Sequence, residues 1–464
     1  MSYLTDPRVL IVAEHASLKY GGEAALPLHY FRVLRRRGID VRLIVHERTK
    51  LELQSLFSND LDRIYFVEGK PWKRFLVKLQ QKLPHRLACF SFGTMLRLSN
   101  QLEQRRIARQ IMQKHRIDII HQPMPVSPKE PSLMFDLGVP VAIGPMNGGI
   151  DYPPAFRHRE SRWVSLSLQI GRLFANGVNR LIPGKRHAQI LLVANQRTKA
   201  ALPKGISGKT IELVENGVDF STWQSTFKKD FADSKAIPHR NATSQNPIRF
   251  VYVGRLVDWK GVDLLLPAFK QVAKQLPATL EIIGDGVHKA ALEAQARSLG
   301  LMEDREGNST AEEGNLRGSV RFSGWQSPTN CAQRLHESDA LVLPSLMECG
   351  GAVVLEAMAM GLPIIATNWG GPADYLDESC GILVDPTSPE EFVGGLAAAM
   401  TKLALSPELR QAMGRAARQR VRQHFDWEVK ADKILQIYRM AIDDPSQCSV
   451  EQAVTLQQQP SFST

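Results

Sequence analysis

The stretch ALVLPSLMECGGAVVLEAMAMGLPIIA, residues 340–366, decides the fold. It opens on the apolar run Ala340–Leu343 and turns through Glu348, Cys349, Gly350 and Gly351. An apolar segment starts at Ala352, and a second short apolar run, Pro363–Ala366, follows Gly361. Short apolar runs bounded by turn residues read as buried strands; the longer segment between them reads as a helix. Strand, glycine turn, helix and strand make a parallel crossover, whose sheet is covered on both faces.

The alternation continues on both sides. Strands are expected at Arg249–Val253, Thr279–Ile283, Val320–Phe322 and Gly381–Val384, with helices at Val262–Gln275 and Lys289–Leu299. A similar series precedes it: a strand at Arg8–Ala13, a glycine loop at Lys19–Glu23, a helix to Arg37 and a strand at Val41–Val45. Asp118–His121, Val139–Ile143 and Ile190–Val193 extend that series. The expected fold class is α/β, with two doubly wound Rossmann-like domains facing a cleft. The first is expected over 1–205, with a C-terminal helix at 425–444 crossing back to it, and the second over 206–424. The polar stretch 225–247 interrupts the series, 303–318 reads as a surface insertion, and 445–464 reads as a disordered tail. Open α/β sheets bind ligands outside the carboxyl ends of their strands, so the cleft is the expected site.

Of 464 residues, 43% are hydrophobic and 23% charged, ordinary for a globular chain. The five cysteines are dispersed without a CxxC, which argues for a reducing compartment and against a disulfide framework. No apolar run is long enough to span a bilayer, and the first residues are polar, so a cytoplasmic location is expected. The net charge of +11 is uneven: residues 1–200 hold 32 Lys+Arg against 15 Asp+Glu, and the rest hold 26 against 32. The basic half should attract an anionic partner. Between Lys70 and Leu83, Phe75, Leu76, Leu79 and Leu83 fall at helical spacing among Lys73, Arg74, Lys78 and Lys82. That pattern fits a helix lying on an anionic membrane surface, and equally a core-packed helix with a solvated basic face. No nucleic-acid-binding pattern accompanies the charge.

Two segments carry chemistry. Glycines at the turn before Ala352 let backbone N–H groups approach a phosphate, and the helix start adds partial positive charge. Glu348 lies on that loop. Glu356 lies one turn into the apolar helix, where a carboxylate needs hydrogen-bond donors such as ribose hydroxyls, solvent or a local partner. Gly254-Arg255…Lys260-Gly261 follows the first strand of the second series. Arg255 and Lys260 could grip a diphosphate, or be two solvated surface charges. His121 follows an apolar strand, and Asn147 sits in the turn Gly144–Gly149; turn and packing chemistry explain both as readily as function.

Together these segments resemble glycosyltransferase family 4. Glu348 and Glu356 reproduce its E-x7-E signature, and Arg255 with Lys260 its donor-phosphate motif. Glu215-Asn216-Gly217-Val218-Asp219 resembles its interdomain element, Ile117–His121 its strand ending in an active-site histidine, and Gly21-Gly22 its first glycine loop. The resemblance implies a GT-B fold and a retaining, metal-independent transfer of a hexose from a nucleoside-diphosphate sugar, with no further cofactor. The acceptor is expected to be a saccharide or lipid-linked saccharide in cell-surface polysaccharide synthesis, handled in the cytoplasm or on the inner face of the plasma membrane. It implies that Arg255 and Lys260 hold the diphosphate, Glu356 the ribose, and Glu348 the donor sugar. Gly22, Cys349, Gly350, Gly351 and Val353 complete the donor site. His121 would lie near the transferred sugar and Asn147 on the acceptor side. The sequence departs from the family at Cys349-Gly350-Gly351, and Asp374 stands where a glutamate is usual, which bears on donor preference. A sugar-nucleotide epimerase of the same architecture, or a non-catalytic nucleotide-sugar binder, are the alternatives; fold alone does not separate them.

Overall fold

The computed structural model describes residues 6–69, 94–160, 175–220, 243, 246–302 and 317–443. The segment between Lys70 and Leu83, most of 225–247, most of 303–318, and the tail from 445 lie outside the described residues. The chain divides into two compact units.

The first unit holds the strands β1 (Val9–Val12), β2 (Val41–His46), β3 (Ile64–Val67), β4 (Ile119–Gln122), β5 (Val141–Met146), β6 (Ile190–Val193) and β7 (Lys209–Glu212). They lie in the order β3-β2-β1-β4-β5-β6-β7, all parallel. The second holds β8 (Ile248–Val253), β9 (Ala278–Ile283), β10 (Gly318–Gly324), β11 (Ala340–Leu343), β12 (Ile364–Thr367) and β13 (Gly381–Val384). Their order is β10-β9-β8-β11-β12-β13, again parallel. Each order reverses direction once, between β1 and β4 and between β8 and β11. Crossovers leave the sheet on opposite sides at such a point and open a crevice there.

The central strands are apolar on both faces because helices cover both: β1, β4, β6 and β11 are buried throughout. In the first unit, one face is completed by the last described helix, Trp427–Asp443. Trp427, Ala431, Ile434, Ile437 and Tyr438 enter the same core as Val9, Ile11 and Tyr30. The Trp427 ring meets Tyr30 edge-on at 5.0 Å and stacks on His29 at 4.9 Å. Outside, Arg37 forks between Glu428 and Asp432 at 2.7 and 2.6 Å. The helix therefore belongs to the first unit.

Two boundaries differ from the sequence reading. The first unit runs to Glu215 rather than 205, because β7 pairs with β6. Residues Ile150–Ser161 belong to the second unit. Arg159 makes a fork to Asp263, at 2.6 Å on its shorter arm, and the Trp369 indole donates to the Asp151 carbonyl at 2.8 Å.

Trp427 is 1% exposed. Truncating it leaves a cavity among residues held by the rest of the sheet. Trp427→Ala should cost about 3–5 kcal/mol, read as a drop in denaturation midpoint.

Candidate active site

Three loops leave the carboxyl edge of the second sheet from neighbouring strands: β8, β11 and β12. The loop after β8 runs from Gly254 to Gly261 and ends in a left-handed glycine (φ 67°) that caps the helix Val262–Gln275. The loop after β11 ends in Gly351 (φ 86°), which caps the helix Ala352–Ala359. The turn after β12 places Gly370 and Gly371 under the Glu348–Gly350 backbone, with the Gly371 amide donating to the Glu348 carbonyl at 2.8 Å. The Leu346 amide donates to the Trp259 carbonyl at 2.9 Å, tying the first two loops together.

The paired residues of the two motifs meet here. The Lys260 ammonium forms an ion pair with the Glu348 carboxylate, with side chains 12% and 15% exposed. Ser345 donates weakly to the same carboxylate at 3.5 Å. Arg255 is exposed, and its guanidinium has no partner among the described residues. Cys349, Gly350, Gly351 and Val353 follow Glu348 around the turn, where the first amides of the helix Ala352–Ala359 begin.

Glu356 lies half-buried on that helix. Among the described residues nothing donates to its carboxyl, and burial pushes it up to about 7. The nearby Cys331 thiol is raised to about 11, by burial first and then by the charges of Glu356 and Glu281. A carboxyl held near neutrality without a donor is in an unfavourable place until a hydroxylated ligand arrives.

The first-unit candidates fare differently. Gly22 is exposed at the start of the helix Gly22–Arg36, after Gly21 (φ 94°). The loop before it is held by Glu52, which accepts from the Ser17 hydroxyl at 2.5 Å and the Leu18 amide at 2.8 Å. His121 does not open on a site. It is fully buried, donating through Nε2 to the Gly144 carbonyl at 2.7 Å and accepting at Nδ1 from the Tyr438 hydroxyl at 2.6 Å. Burial, against the opposing bond to Gly144, lowers it to about 4. It is a neutral core histidine with both nitrogens committed, which corrects the expectation that it lies by the sugar. Asn147 is likewise engaged: its amide donates to Glu215 at 2.8 Å, and its oxygen accepts from Thr198 at 3.4 Å.

The expected interdomain element spans the point where the chain passes between units. Its Glu215 closes the first unit, where the buried Lys430 ammonium donates to the Val214 and Glu215 carbonyls. Its Asn216 opens the second, donating to the Tyr375 hydroxyl at 2.9 Å. Sequence reasoning missed Glu52, Tyr438 and Gln122; only the last left a signal, as the other face of the strand that carries His121.

Residues 233–420 match the family described as glycosyl transferases group 1. Glycogen synthase of Mycobacterium tuberculosis (strain H37Rv) is 30% identical over 301 residues, covering 64% of this chain and 63% of that protein. D-inositol 3-phosphate glycosyltransferase of Segniliparus rotundus is 32% identical over 197 residues, 41% of this chain and 39% of that protein. The chain thus spans less than two thirds of the length of either relative. Among solved structures, Anabaena HepE in complex with UDP and glucose superposes with a TM-score of 0.59 at 17% identity, covering 93% of this chain and 99% of that one. Sucrose-phosphate synthase of Thermosynechococcus elongatus does so with 0.59 at 18%, covering 94% and 99%. The fold is GT-B, two Rossmann-like α/β domains. The matches support glycosyl transfer as the class of reaction.

Two outcomes follow from these positions. Removing the Tyr438 hydroxyl strands a buried imidazole nitrogen, so Tyr438→Phe should cost about 1–3 kcal/mol in denaturant unfolding, with nucleotide affinity unchanged. Glu356 titrates higher folded than unfolded, so its contribution to stability is present below the ordinary carboxyl range and is lost as pH rises through about 7. Glu356→Gln should flatten that decline in a pH series of melting temperatures.

Proposed function

We propose that this protein is a glycosyltransferase that moves a hexose from a nucleoside-diphosphate sugar, with retention, to a saccharide or lipid-linked saccharide. The observation that carries it is the carboxyl edge of the second sheet at β8 and β11. An unpartnered Arg255, the Lys260–Glu348 pair, a glycine-capped helix start and a donor-less Glu356 are gathered at one switch point.

Each group has a task in that reading. Arg255 takes the diphosphate through its planar fork, and Lys260 swings part of its charge from Glu348 to the same oxygens. The ribose diol donates to the Glu356 carboxylate. Glu348, released from sole charge of Lys260, accepts from hydroxyls of the donor sugar. Amides at Gly350–Val353 face the phosphate at the helix start. As the bond from C1 of the sugar to the phosphate oxygen breaks, negative charge grows on the leaving diphosphate. Fixed cations lower that barrier without a metal ion. The acceptor hydroxyl adds to C1 on the same face, and its proton passes to the leaving phosphate oxygen.

UDP-glucose is the first donor to test, since HepE, a structural neighbour, is crystallised with UDP and glucose. Cell-surface polysaccharide synthesis, in the cytoplasm or at the inner membrane face, is the setting we propose. No helix of the described residues is long and apolar enough to cross a membrane.

Thermal melting against UDP, GDP, ADP and CMP tests the donor class. A ligand at a hundredfold its dissociation constant stabilises by about 2.7 kcal/mol. One nucleoside diphosphate should produce that shift, and Lys260→Ala or Arg255→Ala should each weaken it by about 1.5–3 kcal/mol. No shift with any nucleotide would overturn the reading. Turnover of the nucleotide sugar without acceptor, with inversion at a ring carbon, would replace it with epimerisation.

A further inference from the structure

The first unit has its own crevice at the β1/β4 switch point. A cavity of about 270 Å³ opens there, walled by the segments that follow these two strands and by the helix Thr94–Lys114. That volume lies just below the range of sites for drug-sized ligands, which leaves room for one sugar ring rather than a chain of them.

The helix turns one face to the cavity, with Arg97, Asn100, Gln101 and Gln104 recurring at helical spacing. Gln101 is spent on holding the wall: its amide donates to the Pro131 carbonyl at 3.2 Å, and its oxygen accepts from the Leu133 amide at 2.8 Å. Gln104 and Gln122 are each tied at one end among the described residues. Gln104 donates from Nε2 to the Ala13 carbonyl at 2.7 Å, and the Gln122 oxygen accepts from the Ser132 hydroxyl at 2.5 Å. These ties orient both amides, so Gln104 has its oxygen to offer a ligand and Gln122 its nitrogen.

The charges of the lining are answered within the wall itself. The Arg97 guanidinium pairs with Glu130 at 2.7 Å. The buried Lys185 ammonium donates to the Ser127 carbonyl at 2.7 Å, and its charge also bears on Glu130. Glu23 has a partner of its own. Glu14 accepts from the Asn100 amide at 3.4 Å and lies 3.7 Å from His15, whose imidazole burial lowers toward its neutral form. Arg97 and Lys185 thus stand against Glu130 and Glu14, and the wall has no net charge to set against an ion. An ion entering alone would lose its water without gaining a counter-charge. A neutral, hydroxylated ligand loses less and can donate to Glu14 and Gln104 while accepting from Gln122.

The segment after β4 supplies an apolar side, where Met124, Pro125 and Val126 line the cavity in succession. A pyranose ring has the same division, with hydroxyls around its rim and C–H groups on its faces. We infer that this cavity binds one neutral hexopyranose, its rim hydroxyls on Glu14, Gln104 and Gln122 and a C–H face on the Met124–Val126 segment. It seats the terminal sugar of the acceptor if the transferase reading holds, and that clause alone rests on the reading. Selection runs against charge of either sign, despite the basic character of the surrounding unit.

Saturation-transfer NMR on the full chain, without nucleotide, tests it with glucose, galactose and mannose and with their amino and phosphorylated derivatives as probes. At least one of these neutral hexoses should give a saturable signal, with the amino and phosphate derivatives of that same hexose about tenfold weaker. Glu14→Ala, a substitution at a part-exposed side chain, should weaken that hexose about tenfold, the loss expected for a hydrogen bond to a charged group, while the melting temperature holds. Gln122→Leu should weaken it as well. No signal from any of the neutral hexoses, a charged derivative that binds as well as its parent, or unchanged binding in Glu14→Ala would each overturn the assignment. Nucleotide melting shifts, measured separately, report on the second unit: their absence with hexose binding intact would sink the transferase reading and leave this pocket standing.

Discussion

A side chain at Gly261 would collide with the Pro344 carbonyl; one at Gly371 would collide with the carbonyls of Cys349 and Gly350. A side chain at Gly370 would meet the Glu348 carbonyl. The candidate donor site depends on this backbone-on-backbone contact. Because three loops touch without intervening side chains, Lys260 and Glu348, 88 residues apart in sequence, come within ion-pair reach. Two of the three glycines also hold left-handed backbone, Gly261 at φ 67° and Gly370 at φ 73°, which side-chain-bearing residues rarely adopt. Sterics and dihedral preference thus demand glycine at the same points, and the site gains a rigid frame that leaves its charged side chains unencumbered.

That frame separates two kinds of polar burial. Lys260 and Glu348 answer each other as an ion pair. Glu356 has no such arrangement, and burial holds its carboxyl near neutrality. In the first unit, both ring nitrogens of His121 are taken, by the Gly144 carbonyl and the Tyr438 hydroxyl, and the imidazole offers a ligand nothing. Local incompleteness is what marks a binding surface; a fully satisfied buried network marks a core.

Much of this was legible in the sequence. The strand, glycine turn and helix at 340–359 were plain, since short apolar runs and glycines mark both ends. The glutamates and cations were found because they interrupt apolar or turn patterns. Strands β3 and β7 were not found: Ile64–Val67 and Lys209–Glu212 are short edge strands, and the second is only partly apolar. Missing β7 placed the domain boundary ten residues early. His121 enters the expected site only through the family resemblance; on its own, a histidine ending an apolar strand reads as readily as packing. Side chains alternate across a strand, and its neighbour Gln122 is the one that faces the crevice. Only the position of the Trp427–Asp443 helix, which supplies Tyr438, reveals which face is closed, and that is a tertiary fact.

That helix also orders events in time. A ribosome delivers the first unit's strands β1 to β7 before any of the second unit's strands, yet the Trp427–Asp443 segment emerges only after the strands of both. Until then, the apolar faces of Val9, Ile11 and Tyr30 lack their Trp427 and Tyr438 cover. The second unit, whose strands and helices are all synthesised by Asp426, can close its core earlier. The unit begun first is therefore completed after the one begun second, and a chain stalled short of Trp427 would present an open hydrophobic face to the chaperones of its cell.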